Sequence, residues 1–275
     1  MVGFLDVGGG MKGIYTSGIY DYLMDRGIAP AYCIGVSAGS ANLITYIAGQ
    51  RGRTYRFYHD YAFEKEYMSL SNYLHKGSFI DLHHIYSVLS NEDGRDPLSY
   101  DAICASDCRF TAVATDAHTG KPYYLTKSDL YRNDYTVIKA SCAMPILGKP
   151  INMNGTELFD GGVSDPIPYK KAFSDGCDKL VVCLTNPLSY VKKAIPQWGK
   201  RLLAEYPAAA EALLCMHETY NTCMQELFEL EKQGKVLLVA PEEQYSISTL
   251  TRNKEKLQQL YEAGYRDAQK IIAFL

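Results

Sequence analysis

No stretch of this sequence approaches the ~20 consecutive apolar residues that cross a bilayer as a helix, so any membrane contact is expected to be peripheral. Nor do the first residues carry the basic segment, apolar stretch and cleavage site of a secretory leader, because Asp6 and the glycines after it interrupt them. The eight cysteines (Cys33, Cys104, Cys108, Cys142, Cys177, Cys183, Cys215 and Cys223) include no C-x-x-C pair and no matching histidine spacing, which leaves a zinc site without support. Cys33 and Cys183 stand in apolar, strand-like runs where a free thiol behaves as a small buried hydrophobe. The expected setting is therefore a reducing cytoplasm, with a membrane surface as a peripheral station. There is no excess of one charge: the net charge of −3 offers a nucleic acid no bulk attraction. No repeat or low-complexity segment stands out, and no cofactor or metal is expected. What is left, at 47% hydrophobic and 21% charged residues, is an ordinary globular composition. The length suffices for one large core or two modest ones.

What the chain does have is a serine between glycines. In Gly35-Val36-Ser37-Ala38-Gly39 an apolar, β-like run (Tyr32, Cys33, Ile34) gives way to a helix-forming one. This is the layout of a nucleophile elbow. The turn needs strained backbone angles and close approach to its neighbours, so residues without a Cβ flank the serine while its hydroxyl is lifted clear at the end of a sheet. Small residues crowd many turns, and the pattern alone decides little. A second glycine cluster adds to it: Gly8-Gly9-Gly10-Met11-Lys12-Gly13 follows the apolar run Val2 to Val7 and precedes a segment, Ile14 to Arg26, with apolar side chains at Ile14, Ile19 and Leu23. Strand, glycine loop and helix follow one another. Such a loop exposes backbone N–H groups beside a helix N-terminus, where an oxyanion would be stabilised. Lys12 adds positive charge there, suited either to attracting a phosphate head group or to facing solvent. A side chain at Gly10 is expected to damage turnover far more than stability, by displacing those N–H groups.

Two nucleotide-binding templates compete for the same glycines. Gly8, Gly10 and Gly13 satisfy G-x-G-x-x-G, but that fingerprint also wants an acidic residue at the end of the second strand, where this chain has Ser37. A phosphate-binding P-loop needs lysine directly after its last glycine, followed by Ser or Thr, whereas here Lys12 precedes Gly13 and Ile14 follows it. Both templates lose ground to a loop that serves Ser37.

Downstream, Phe159-Asp160-Gly161-Gly162 follows a hairpin turn at Asn154-Gly155. Taken alone, Asp160 reads as a carboxylate that caps its own sharp turn. In their order, however, Gly8-Gly9-Gly10-x-Lys12-Gly13, Gly35-x-Ser37-x-Gly39 and Asp160-Gly161-Gly162 resemble the patatin-like phospholipase family of serine lipid acyl hydrolases. Ala140-Ser141-Cys142-Ala143-Met144-Pro145 is similar to the small-residue and proline segment before the family's aspartate motif, and Asp165-Pro166 falls where the family has a polar residue and a proline. The resemblance covers roughly residues 1 to 185. It implies an α/β fold, a three-layer sheet flanked by helices, and a Ser–Asp dyad of Ser37 and Asp160. It further implies an oxyanion hole from the N–H groups of Gly8, Gly9 and Gly10, and a lipid or other acyl-ester substrate. Val7 departs from members that carry an acidic or small residue before the glycines.

The order strand, glycine loop, helix, strand, elbow, helix from Met1 to Ala48 is a βαβα opening, which argues independently for an α/β sheet. Arg109 to Thr115 alternates as a strand and turns at Asp116 to Pro122 into Tyr123-Tyr124-Leu125. Lys179 to Leu184 reads as another strand. Residues 51 to 100 carry many aromatics, among them Tyr55, Phe57, Tyr58, Tyr61, Phe63, Tyr67, Tyr73, Phe79 and Tyr86, suited to a lipid-facing groove or to a helical cap on the sheet. We expect a catalytic domain over 1–185 and a mainly helical C-terminal extension, 186–275, packed on it. In the extension, helical blocks at Pro207 to Lys232 and Asn253 to Phe274 surround a short strand, Val236 to Ala240. Leu213, Met216, Tyr220, Cys223, Met224, Leu227 and Leu230 form one apolar face, read as core, and the pairs Lys192-Lys193 and Lys200-Arg201 read as solvated surface. Oligomeric state is left open.

Two other functional readings stand beside the dyad. A conventional triad-type esterase places histidine after the acid in chain order. Here only His217 follows Asp160, on the helical face beside Leu214 and Met216, and His59, His75, His83, His84 and His118 precede it. From a different class comes a catalytically silent lipid-binding or interaction protein built on the same scaffold.

Overall fold

The fold was derived from a computed structural model that describes residues 1–197 and 203–275. Residues 198–202, with the predicted basic pair Lys200-Arg201, lie outside the described residues. Apolar runs too short for helices and bounded by glycines give the strands of a central sheet: β1 (Val2–Asp6), β2 (Tyr32–Val36), β3 (Arg109–Asp116), β4 (Pro122–Thr126), β5 (Ile151–Met153), β6 (Thr156–Asp160), β7 (Lys179–Cys183) and β8 (Val236–Val239). Their order across the sheet is β5-β6-β3-β2-β1-β7-β8, with β4 paired to β3 off this path. The central pairs are parallel, β4 and β6 each pair antiparallel with β3, and β5 pairs antiparallel with β6.

A parallel sheet covered on both faces requires strands apolar on both sides. In β2 every residue is buried. Because alternate residues of a strand point to opposite faces, Phe4 and Cys33 enter one core while Leu5, Tyr32 and Ile34 enter the other. The first core lies under α1 (Ile14–Asp25), α2 (Ala38–Ile47), α3 (Arg53–His59) and α5 (Tyr100–Ala105), with α6 (Thr136–Ser141) beside them, while α4 (Leu70–Lys76) turns Tyr73 and Leu74 outward. The second lies under α7 (Tyr169–Ser174) and the long α8 (Pro207–Lys232). The result is the three-layer α/β arrangement expected from the sequence.

The C-terminal region is woven into these layers. β8 extends the sheet beyond β7, in register from Leu180↔Val236 to Cys183↔Val239. The last long helix, α9 (Lys254–Asp267), lies against α1 and is tied to it at its middle and at its C-terminal end: Tyr261 donates to Asp21 (2.9 Å) and Tyr15 to Asp267 (2.8 Å). Most aromatics of residues 51–100 serve as packing, whereas Tyr73 is exposed. Phe57 and Tyr58 are buried, and Tyr55, Phe63, Tyr67, Phe79 and Tyr86 lean on the first core, as the helical-cap reading has it.

The chain builds outward from β1 in both directions, to β2 and β3 on one side and to β7 and β8 on the other. Such a reversal leaves a crevice at the carboxyl ends of the strands, the usual ligand position in open α/β sheets. The loops after β1, β2 and β7 all open there.

Candidate active site

Ser37 is the residue between β2 and α2, with φ 56° and ψ −132°. A non-glycine residue in this region stores about 1–3 kcal/mol of strain and persists only where its surroundings enforce it. Here they do. The Ser37 N–H donates to Ser141 Oγ (3.0 Å), which donates in turn to the Val113 carbonyl (2.7 Å), while the Ser37 carbonyl accepts from Ser40 N (2.9 Å) and Ser40 Oγ (2.7 Å). Gly39 lets α2 start against β1, since a Cβ there would lie 2.4 Å from the Asp6 carbonyl oxygen. Gly35 makes the same accommodation on the other side of the serine, towards Ser40. The hydroxyl stands at the positive end of the ten-residue α2 dipole.

Strand register brings a carboxyl to this serine. Val36 pairs with Val113 of β3, and the next residue of β3, Ala114, pairs with Asp160 at the end of β6. Ser37 and Asp160 therefore flank the same point of β3. Asp160 is buried, with Oδ1 accepting the Gly162 N–H at 2.8 Å. Burial pushes its carboxyl up to about 6, against the opposing effects of the Ser37 hydroxyl, the Gly162 N–H and the charge of Lys192. Gly161 starts the turn beyond it, its carbonyl accepting from Ser164 and Asp165. Burial also pushes the neighbouring Cys142 thiol up to about 12, so it is no thiolate at neutral pH.

The glycine loop is held from three sides. Thr185 Oγ1 donates to the Gly8 carbonyl, the Thr249 carbonyl accepts the Met11 N–H (2.9 Å), and the Gly8 N–H donates to Asp6 Oδ1 (2.9 Å). Gly8 thus has its donor engaged by a buried carboxylate. Gly9 and Gly10 keep N–H groups with no protein acceptor among the described residues. Gly13 turns its carbonyl to Thr16 and Asn42, a structural duty behind the loop. Asp6 itself is fully buried, accepts from Tyr20 as well (3.1 Å), and has its carboxyl pushed up to about 6 by burial.

A cleft of about 350 Å³ joins these parts. Ser37, Asp160, Gly162 and Gly8 to Gly10 form its polar end, and Met144, Ile146, Leu147, Val163, Leu213 and Met216 form much of its apolar wall. Three sequence expectations change here. Lys12 does not face open solvent: it is half-buried, lines the cleft and donates to Asn186 Oδ1 (2.6 Å). Lys192, expected as solvated surface, lines the same cleft, whereas its neighbour Lys193 is exposed. On α8, Leu213, Met216 and Tyr220 reach the cleft as well as the core, because the helix crosses the mouth of the crevice. None of the six histidines lines it; His217 bonds the Leu214 carbonyl through Nδ1 (2.8 Å).

Gly10 also departs from expectation. At φ 60°, a Cβ would meet Thr249 Cγ2 at 2.6 Å and the Thr249 carbonyl oxygen at 2.7 Å. A side chain there must push the C-terminal segment off the loop, so stability and turnover fall together. Gly10→Ala is expected to lose about 2 kcal/mol or more of stability as well as activity, read from denaturant midpoints and initial rates on the same preparation.

The chain is a three-layer α/β protein with a strained serine at the carboxyl ends of its parallel strands. It belongs to the patatin-like phospholipase family, whose model matches residues 7–173. A second model, described only as a domain of unknown function, matches residues 206–275. The uncharacterized protein YjjU of Escherichia coli (strain K12) is 30% identical over 208 residues, 71% of this chain and 54% of that protein, so the chain spans about half the length of this relative. Among solved structures, VipD from Legionella pneumophila matches 98% of this chain and 66% of its own, with a TM-score of 0.48 and 13% identity. No helix of the described residues is long and apolar enough to cross a membrane.

Proposed function

We propose that the protein hydrolyses acyl esters of lipids through Ser37 and Asp160. The observation that carries this reading is the strained serine, φ 56°, sharing one cleft with a buried carboxyl raised to about 6 that the serine hydroxyl itself helps to hold down. A free hydroxyl is a poor nucleophile and needs a base beside it. Asp160 takes the Ser37 proton as the oxygen attacks the ester carbonyl. The negative charge that develops on the carbonyl oxygen is stabilised by the Gly9 and Gly10 N–H groups, assisted by the α2 dipole; one such donor is worth about 3–4 kcal/mol. Proton return from Asp160 releases the alcohol. Water, activated by the same carboxylate, then frees the acyl group from Ser37. The apolar wall of Met144, Ile146, Leu147, Leu213 and Met216 suits an acyl chain. The region 1–185 carries the two catalytic side chains, and 186–275 closes the cleft around them.

Reaction with a fluorophosphonate followed by peptide mass mapping tests the nucleophile directly. One adduct on the peptide containing Ser37 is expected, and none after Ser37→Ala. A folded protein that takes no adduct, or takes it on another residue, contradicts the reading and favours a silent lipid-binding protein.

A further inference from the structure

Asp6 is an ionisable side chain that the hydrolytic steps leave unused. It ends β1 and is fully buried, so it cannot touch substrate, yet it meets both halves of the site. On the loop side, its Oδ1 accepts the Gly8 N–H (2.9 Å). On the elbow side, a Cβ on Gly39 would fall 2.6 Å from the same oxygen and 2.4 Å from the Asp6 carbonyl oxygen, so the first turn of α2 lies flat on this residue. Loop and elbow also touch each other. At Gly8, φ 66°, a Cβ would lie 2.2 Å from the Val36 carbonyl oxygen and 2.9 Å from the Gly39 nitrogen. The backbone segments that carry the oxyanion donors and the nucleophile are thus packed around one carboxyl group.

The second oxygen of Asp6 accepts from Tyr20 (3.1 Å), whose ring stacks on Tyr46 of α2 at 5.0 Å, and the Thr16 and Asn42 side chains also favour its ionised form. The titratable groups that face it are Tyr20 of α1, Cys33 of β2, Tyr58 of α3 and Cys183 of β7, all kept neutral by burial. Of these five groups, Asp6 is the one that ionises near neutral pH. A buried carboxylate held by neutral donors is a costly element, so its place calls for a use beyond packing. The hydrogen bonds show one. Asp6 turns the Gly8 amide inward, and the next two, Gly9 and Gly10, are left without a protein acceptor among the described residues at the polar end of the cleft.

We propose that Asp6 is a positioning residue of the reaction: by holding the Gly8 amide against the start of α2, it sets where the Gly9 and Gly10 N–H groups stand relative to the Ser37 oxygen. The inference rests on the hydrolase reading. A misplacement of about 1 Å at a reacting centre costs about 10²-fold in rate. The oxyanion exists only after attack, so the effect falls on kcat and leaves KM nearly unchanged.

The test compares three variants on a soluble p-nitrophenyl ester, with rates expressed per site counted by fluorophosphonate labelling carried to completion. Asp6→Ala is expected to lose about 10²-fold in kcat with KM changed by less than about threefold. Asp6→Asn keeps an acceptor for the Gly8 N–H and should recover to within about fivefold of wild type. Tyr20→Phe removes the bond to the other carboxyl oxygen, leaves the Gly8 bond in place, and should stay within about threefold even where its denaturant midpoint falls. A residue that only supports the fold would lower the midpoint and the number of labelled sites while kcat per site held. That result for Asp6→Ala overturns the proposal, as does an Asp6→Asn as slow as Asp6→Ala.

A second readout needs no turnover. The sequence has two Val–Gly pairs, Val2-Gly3 and Val7-Gly8, so valine labelled at its carbonyl carbon together with 15N-glycine singles out the Gly3 and Gly8 amides by NMR. The Gly8 resonance is expected to titrate with a midpoint at about 6 in wild type and to stay fixed in Asp6→Asn, with Gly3 as the still control. A Gly8 amide that does not titrate in wild type removes the Asp6 contact and the proposal with it, and this decides the matter where Asp6→Ala does not fold. A titrating Gly8 with unchanged kcat per site in Asp6→Ala means that the positioning role alone has failed. A titrating Gly8 in a wild-type protein that cleaves no ester and takes no label means that the hydrolase reading has failed, and the positioning role falls with it.

Discussion

Ser37→Ala is expected to abolish hydrolysis of short-chain p-nitrophenyl esters, a loss of about 10⁴-fold or more if this oxygen is the nucleophile. The fold should survive. Alanine keeps the Cβ that already stands at φ 56°, and the bonds that hold the turn, from Ser141 Oγ, Ser40 N and Ser40 Oγ, all involve the Ser37 backbone. A companion variant separates strain from chemistry. Ser37→Gly is equally inactive, but it relaxes a backbone region that glycine alone visits freely and should unfold at a higher denaturant midpoint than Ser37→Ala, by about 1 kcal/mol. Near wild-type turnover in folded Ser37→Ala would overturn the assignment.

Asp160→Asn should be nearly inactive and more stable than the parent at alkaline pH. The amide keeps an acceptor for the Gly162 N–H but cannot take the serine proton, so a loss of about 10³–10⁴-fold is expected, the range seen when a serine's activating partner is removed. The stability effect follows from the sign of the pKa shift. Burial raises the Asp160 carboxyl from 3.8 to about 6 in the folded chain, so its contribution to stability is fully present below about pH 4 and is lost as pH rises through 6. At pH 8 the parent carries an ionised carboxylate in a buried place, a penalty on the order of 1–3 kcal/mol that Asn does not bear. The expected gain at pH 8 should therefore vanish near pH 4, which two denaturation series would show. The same titration makes parental turnover fall as pH drops through about 6. A conventional triad, in which Asp160 would orient a histidine, predicts that one of the six histidine variants loses as much activity as Asp160→Asn, whereas the dyad predicts losses of at most about tenfold in each.

Asp6 is buried and raised to about the same value, which puts a second titration under the glycine loop. Its signal in the sequence is slight, a single acid at the end of an apolar run. Its contribution depends on the Gly8 N–H and the Tyr20 hydroxyl arriving at its two oxygens, and only the folded loop brings them there.

By itself the sequence determined what local chemistry decides. Alternating and continuous apolar runs mark the strands, glycines mark the places where β1 and β2 turn into helices, and the apolar face between Pro207 and Lys232 sets out α8 with the ends it has in the structure. The family was legible because its glycines answer to backbone geometry, which tolerates few substitutes. Tertiary structure alone decided which residues share the cleft. Lys192 resembles Lys193 in every local respect, yet Asn221, bonded to the Lys192 backbone N–H and carbonyl, turns one of them into the cleft and leaves the other in water. Thr185 and Gly8 stand 177 positions apart and meet only because β7 pairs with β1. Periodicity shows that a helix has an apolar face but not what that face covers. The cleft is closed by contacts between residues far apart in the chain, and these exist only once the sheet has assembled.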